Sequence, residues 1–295
     1  MNKFEGQSPA KIILLGEHFV VHGAPALAAP LAGVGLQATL CRTEHFETHP
    51  DHVTACLGLC RQEWDGPLPE QIRCDIDSDI PQRIGLGSSA ALAVALARAY
   101  AKLCGQAAKD SPAIRRVAHL CEKIAHGHPS GIDTAAVLSA RPIRFRVGAA
   151  PVALATDPTM AFVIVDVGVR APTLELVDRV RRLRERRPGQ FRAALAEYRG
   201  LAERATAALA NDNPFGLAEA MNRNQLLLRQ LGVSTPAVER AIRDLREAGA
   251  LGAKLTGAGG GGAVVGIVEA QKSSIVAGNV VHRGHNVLVS RTKES

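Results

Sequence analysis

Short apolar runs broken by Gly and Pro fill the N-terminal part of the chain, and long Ala- and Leu-rich stretches follow. "AKIILLG" (10–16) has an apolar core without polar alternation, which predicts a buried strand. "APALAAPLAGVGLQATLCRTE" (24–44) reads as turn material leading into further strands, because Pro and Gly punctuate its apolar runs. "SSAALAVALARAYAKL" (88–103) carries its charges late and predicts a helix, with a second from about Pro112 to Ala125. "AFVIVDVGV" (161–169) is a further apolar strand, and the loop before it, "GAAPVALATDPT", has the composition of a boundary, so a domain border is expected near residue 157. Beyond it the pattern predicts helices at about 173–186, 190–210, 214–231 and 235–249, then strands over "GAVVGIV" and "HNVLVSRT". Both halves mix strands and helices without the regular alternation of a doubly wound sheet, which makes the class α+β.

Composition narrows the function classes. The 295 residues are 46% hydrophobic and 21% charged, ordinary for one large or two moderate globular domains. Only 3% are aromatic, so stacking platforms for exposed bases are scarce and a nucleic-acid partner is not expected. The net charge of +7 favours anionic ligands without choosing among them. Its densest cluster, "RVRRLRERRPGQFR" (179–192), reads as the solvated face of a helix. The six cysteines show no disulfide or CxxC spacing, which points to a reducing cytosol. "HPDHVTACLGLC" holds His49, His52, Cys56 and Cys60, a faint zinc pattern, but Asp51 and the apolar residues between fit a strand and its loop, and no metal is assigned there. No apolar stretch approaches the about 18 residues needed to cross a bilayer, and the apolar run near the N-terminus is too short for a signal peptide, so no membrane partner is expected.

Two glycine-bearing segments suggest phosphate chemistry. In "PQRIGLGSSAALAVALA", Gly85 and Gly87 allow tight turns, Ser88 and Ser89 supply hydroxyls, and a helix begins at once, so free N–H groups and the positive end of the helix dipole converge. Alone, Ser as N-cap and Gly as turn residue explain the same letters. The segment is neither a Walker A loop nor a Rossmann fingerprint. The second, "KLTGAGGGGA" (254–263), is poor material for a helix or strand and is expected to line something.

Three segments, "PAKIILLGEHFVVHG" (9–23), "PQRIGLGSSAA" (81–91) and "KLTGAGGGGA" (254–263), resemble in order and spacing the signatures of the GHMP small-molecule kinases, versions of which galactokinases and homoserine kinases share. "EKIAHGHPSGIDTA" (122–135) and "MNRNQLLLRQLGVS" (221–234) bring the resemblance to the mevalonate kinases within that family. The resemblance implies a two-lobed α+β fold. Its N-terminal lobe, residues 1–157, would be like the second domain of ribosomal protein S5, and its C-terminal lobe, residues 158–295, ferredoxin-like. It implies ATP and Mg2+ as cofactors, a small hydroxy-acid acceptor, and phosphorylation of the primary hydroxyl of mevalonate, with a related or already phosphorylated hydroxy acid as the alternative acceptor. A homodimer is left open.

Carried over by resemblance, Asp133 is the catalytic base and Lys11 the cation beside it, while Glu122 is the magnesium carboxylate with Ser89, or the adjacent Ser88, as hydroxyl ligand. Gly85, Leu86, Gly87, Ser88, Ser89, Ala90, Gly257, Gly259 and Gly260 are the nucleotide-side residues. Glu17, His18 and Thr256 fall on the substrate side, and Asn224 and Gln225 are expected to support the loop. Each has a plainer reading: a helix-capping Asp133, a solvent-facing Lys11, a surface Glu122, a core His18, a loop hydroxyl at Thr256. Two segments depart from the pattern. "LSARP" puts Arg141 where the family carries glycine, and "RAPT" puts Arg170, Ala171 and Pro172 ahead of Thr173 in place of "PRST". Both lie on the implied substrate side, so an extra anion on the acceptor would find a cation if either arginine faced it.

Overall fold

The computed structural model describes residues 2–108, 111–127, 129–154 and 159–291. The border expected near residue 157 lies outside the described residues. Two compact units interleave along the sequence. One is made of residues 1–11, 34–81 and 87–140, the other of residues 12–33, 82–86 and 141–295.

The first unit takes the beginning of β1 (Phe4–Leu15) and the end of β2 (Ala26–Arg42), with β3 (Ile72–Ser78) antiparallel to β2 from Leu36↔Ser78 to Arg42↔Ile72. Its helices are α1 (Asp51–Trp64), α2 (Ser88–Leu103), α3 (Pro112–His126) and α4 (Ile132–Leu138). The two helices expected from Ala and Leu patterning are α2 and α3. Ser111 caps α3 by accepting a bond from Ile114 N at 3.3 Å, and Pro112 stands at its first turn. Ala91, Val94, Ala95 and Leu96 of α2 are fully buried, and a Cβ built at Gly6 of β1 would stand 2.0 Å from the Ala95 carbonyl. The small residues of both elements therefore let helix backbone come down onto strand backbone, which is how a core short of aromatics packs densely.

Two expectations are corrected here. Residues 51–64 form a helix, not a strand and loop: Val53, Cys56, Leu57 and Cys60 are buried at i, i+3, i+4 and i+7, so the cysteines act as small apolar residues on one helical face. His49 reaches the Pro69 and Ile72 carbonyls, at 3.2 and 2.9 Å. Residues 24–44, read as turn material leading into further strands, hold one 17-residue strand over 26–42 that passes through Pro30 and a left-handed Gly33 (φ +76) without ending.

The second unit contains β4 (Ile143–Phe145), β5 (Val152–Ala153), β6 (Met160–Asp166), α5 (Thr173–Arg186), α6 (Pro188–Ala210), α7 (Pro214–Gln230), α8 (Pro236–Glu247), β7 (Gly252–Thr256), β8 (Ala263–Glu269), α9 (Ser273–His282) and β9 (Asn286–Arg291). The pattern anticipates these except α9, β7 and the short strands β4 and β5. β4 joins the first sheet beside the beginning of β2, from Ala26↔Phe145 to Ala28↔Ile143, and pairs β5 on its other side. The remaining strands form an antiparallel sheet in the order β7-β8-β6-β9, with α5 to α8 inserted between β6 and β7 and α9 between β8 and β9. That connectivity and order are those of a ferredoxin-like sheet. β7 pairs only β8 in this sheet, and α7 serves its open side: Ala253 N donates to Asn222 Oδ1 and Leu255 N to Gln225 Oε1, both at 3.0 Å. Tyr198 stacks on Phe19 with ring centroids 4.3 Å apart and donates its hydroxyl to the Pro25 carbonyl at 2.6 Å. No described helix is long and apolar enough to cross a membrane.

Candidate active site

In the first unit, Lys11 leaves β1 with only 1% of its side chain exposed and its Nζ lies 2.9 Å from Asp133 Oδ1. It is not a strand-edge lysine in solvent. Asp133 stands in the first turn of α4, entered through left-handed Gly131, where a carboxylate favours the positive end of the helix. Glu122 is buried in α3, not on its surface. Burial pushes its pKa up, the negative charge of Asp133 adds to the shift, and a hydrogen bond from Ser89 with the charges of His126 and Lys11 acts against it. Ser89 rather than Ser88 makes that bond, which separates two serines that adjacency left equivalent. Gly87 precedes α2 in the left-handed region (φ +75), and a Cβ there would strike Lys11 Cε and Cγ at 2.7 Å. No side chain caps the start of α2, so the N–H groups of Ser88, Ser89 and Ala90 carry the helix's positive end unshielded by a local acceptor.

In the second unit, Thr256 ends β7 and is almost wholly buried. Its Oγ1 accepts from Ile13 N at 2.9 Å, so the hydroxyl serves another segment and not its own loop. A Cβ on Gly85 would lie 3.2 Å from the Thr256 carbonyl, bringing the turn before α2 against the start of the glycine tract. Leu86 and Ala90 are 1% exposed and contribute backbone. The bareness of the tract has causes within the protein: Gly257, Gly259, Gly260, Gly261 and Gly262 all have φ between +70 and +135. Added Cβ atoms would meet the Val233 carbonyl at 2.4 Å from Gly259, Ala171 Cβ at 2.6 Å from Gly260 and the Val169 carbonyl at 2.2 Å from Gly261. His18 Nε2–H donates to the Ala258 carbonyl at 2.8 Å, and burial lowers the ring's pKa further than the Ala258 bond and Glu17 raise it. The imidazole is neutral near neutral pH.

Glu17 is tied to Lys254, a residue with no counterpart in the sequence-based site. Lys254 is fully buried in β7 and its Nζ contacts Glu17 Oε1, while Asn224 Nδ2 donates to Glu17 Oε2 at 3.1 Å. Its signal in the sequence was its place at the head of "KLTGAGGGGA"; in the structure every residue of β7, "GAKLT", is buried. Gln225 supports the loop as expected, its Oε1 on Leu255 N and its Nε2 bonding Ser234 and Glu239 at 3.0 and 2.9 Å. Arg170 forks onto Asp166 with two bonds of 2.8 Å, so its charge is matched within its own loop. Arg141 is exposed.

Sequence models of the GHMP kinases match at both ends of this arrangement, the "GHMP kinases N terminal domain" over residues 51–141 and the "GHMP kinases C terminal" over residues 205–284. A curated mevalonate kinase of Aeropyrum pernix is 32% identical over 89% of this chain and 87% of its own length. The chain belongs to the mevalonate kinase family of GHMP kinases. A second relative, the mevalonate kinase of Thermococcus gammatolerans, is also 32% identical and spans 97% of this chain and 96% of its own. Among solved structures, this GHMP kinase superposes on L. major mevalonate kinase in complex with R-mevalonate with a TM-score of 0.83 and 24% identity, covering 100% and 97% of the two chains. Streptococcus pneumoniae phosphomevalonate kinase gives 0.79 and 16%, covering 97% and 99%. Backbone likeness thus extends across kinases of different acceptors and establishes the fold.

Proposed function

We propose that this chain transfers the γ-phosphoryl group of ATP to the primary hydroxyl of mevalonate, giving 5-phosphomevalonate and ADP. The observation that carries this reading is the Lys11–Asp133 pair beside buried Glu122, in a chain whose relatives at 32% identity over nearly full length bear the name mevalonate kinase. Asp133 accepts the hydroxyl proton as the oxygen attacks phosphorus and ADP departs with the electrons of the broken P–O bond. Lys11 holds that carboxylate in place from 2.9 Å, and its positive charge lowers the cost of the developing alkoxide. The uncapped start of α2 supports a phosphate-binding role for its N–H groups, and the family resemblance assigns Thr256 and the tract from Gly257 to Gly260 to the transferred group.

Glu122 and Ser89 fit a magnesium ion. Among the described residues Glu122 Oε1 is buried without a hydrogen-bond partner, and burial and the charge of Asp133 raise the pKa of the carboxyl, a cost that a hard divalent cation removes. Bound magnesium supplies electrostatic neutralisation of the phosphate oxygens. All six cysteines are free thiols, which supports a reducing compartment for the reaction.

The test is ADP release by the purified protein with magnesium, ATP and, in turn, mevalonate, phosphomevalonate, homoserine and galactose. Mevalonate is expected to give the highest kcat/KM, and Asp133→Asn to lower kcat at least about a hundredfold. Since Arg170 is held by Asp166, an extra phosphate on the acceptor gains little from it. A preference for phosphomevalonate overturns the assignment.

A further inference from the structure

Residues 13–18 and 254–258 are cross-tied at four points. Ile13 N donates to Thr256 Oγ1 at 2.9 Å, Lys254 Nζ meets Glu17 Oε1, and His18 Nε2 donates to the Ala258 carbonyl at 2.8 Å. Lys254 is the hub, because its ammonium also reaches the Ile13 carbonyl at 3.4 Å and the Leu255 carbonyl. Both charged side chains of the central tie are 0% exposed.

A buried ion pair adds little net stability, since desolvating two charges offsets their attraction and a well-packed apolar pair does as well. Asn224 sharpens the point. It is fully buried, donates to Glu17 Oε2, and among the described residues leaves its own Oδ1 without a partner, a cost accepted for the sake of one bond to Glu17. Glu17 therefore has one oxygen on Lys254, the other on Asn224, and no face open to a ligand. The sequence places Glu17 on the substrate side, yet this geometry gives it no way to touch an acceptor.

We propose that Lys254 is a positioning residue for phosphoryl transfer: through Glu17 it fixes the register between the turn carrying His18 and the loop beginning at Thr256, and Glu17 acts through this tie rather than on the acceptor. The inference rests on the phosphoryl-transfer reading above. Its force lies in geometry, because a displacement of about 1 Å in a group beside the transferred phosphate costs on the order of a hundredfold in rate. Thr256 is two residues from Lys254, and His18 is next to Glu17.

A double-mutant cycle tests it, with kcat and KM for mevalonate measured on the parent chain, Glu17→Gln, Lys254→Met and the double variant. Each single variant leaves a buried group without its counter-charge and is expected to lose about ten- to a hundredfold in kcat, with KM for mevalonate moving less than about threefold. The double variant is expected to lose no more kcat than the worse single variant, because each single change already breaks the same tie. Additive losses overturn the proposal, as does a mevalonate KM raised about tenfold or more in Glu17→Gln but not in Lys254→Met. Should the single variants fail to fold, the double variant, which buries no charge, decides: a KM near the parent's supports the tie, and a KM about tenfold higher returns Glu17 to the acceptor. Parent turnover is measured first. Its absence with mevalonate overturns the functional reading, whereas parent turnover with additive losses overturns this inference alone.

Discussion

Glu122 shows most directly how one side chain links stability to chemistry. Its folded pKa lies above that of an exposed glutamate, first through burial and then through the charge of Asp133. The folded state therefore holds the proton more tightly than the unfolded state, and the stability this contributes is complete below the unfolded pKa and lost as pH rises through the raised one. Glu122→Gln mimics the protonated form at every pH. Without magnesium, the variant is expected to melt above the parent at about pH 7.5, and the gap to close near pH 4. Magnesium should reverse the order by binding the parent's folded state, while the variant's magnesium requirement in turnover rises about tenfold or more. Scanning fluorimetry with and without the metal reads the first effect and a magnesium titration the second; a parent that melts higher than the variant without metal contradicts the account. Lys11, Asp133 and Glu122 were legible in the sequence because they sit inside short motifs. Lys254 also opens such a motif, "KLTGAGGGGA", but its role was not legible, because its partner Glu17 is 237 residues away and nothing local marks a lysine as the buried half of an ion pair. Ser89 could be told from Ser88 only once the helix fixed which of the two faces α3.

At the scale of elements, glycine positions separate what the fold requires from what the chemistry requires. An added Cβ at Gly261 would press to 2.2 Å from the Val169 carbonyl in a backbone with φ +135, and neither can move cheaply. Gly261→Ala is expected to lower stability by about 1–3 kcal/mol or more, read as a fall in melting temperature. At Gly87 the obstacle is the stem of Lys11, a side chain and not a backbone carbonyl, so Gly87→Ala should cost less stability than Gly261→Ala and more activity by pulling Nζ off Asp133. Kinetics and melts on both variants check the contrast; equal rate losses at equal stability contradict it. The long helices were legible because their Ala and Leu content and caps agree with their burial. Helix α1 was misread because its inward stripe is half cysteine, and β2 because Pro30 and Gly33 punctuate a strand they do not end. β7 was hidden by the glycines that follow it: a five-residue strand with no alternation has no period to detect.

For the whole molecule, sequence order and spatial grouping part company. A fragment of residues 141–295 keeps the whole β7-β8-β6-β9 sheet but lacks residues 12–33 and 82–86 of its own compact unit. It loses Glu17 from Lys254, the Phe19 ring from Tyr198, and the Ala32 carbonyl that accepts from Ser290 Oγ at 3.0 Å. A buried ammonium without its counter-charge is strongly destabilising. The fragment is expected to lack a dispersed amide spectrum and a cooperative melt, and a well-dispersed spectrum contradicts this. The interleaving was not legible, because hydrophobic periodicity reports which elements form and carries no information on which segments group together. One consequence reaches beyond the single molecule. β7 is a short, apolar outer strand, and bare N–H groups along such a strand offer a growing seam to any neighbouring copy. Asn222 and Gln225 already occupy the outward N–H groups of Ala253 and Leu255, so crowded copies of this chain find that rim closed to polymerisation.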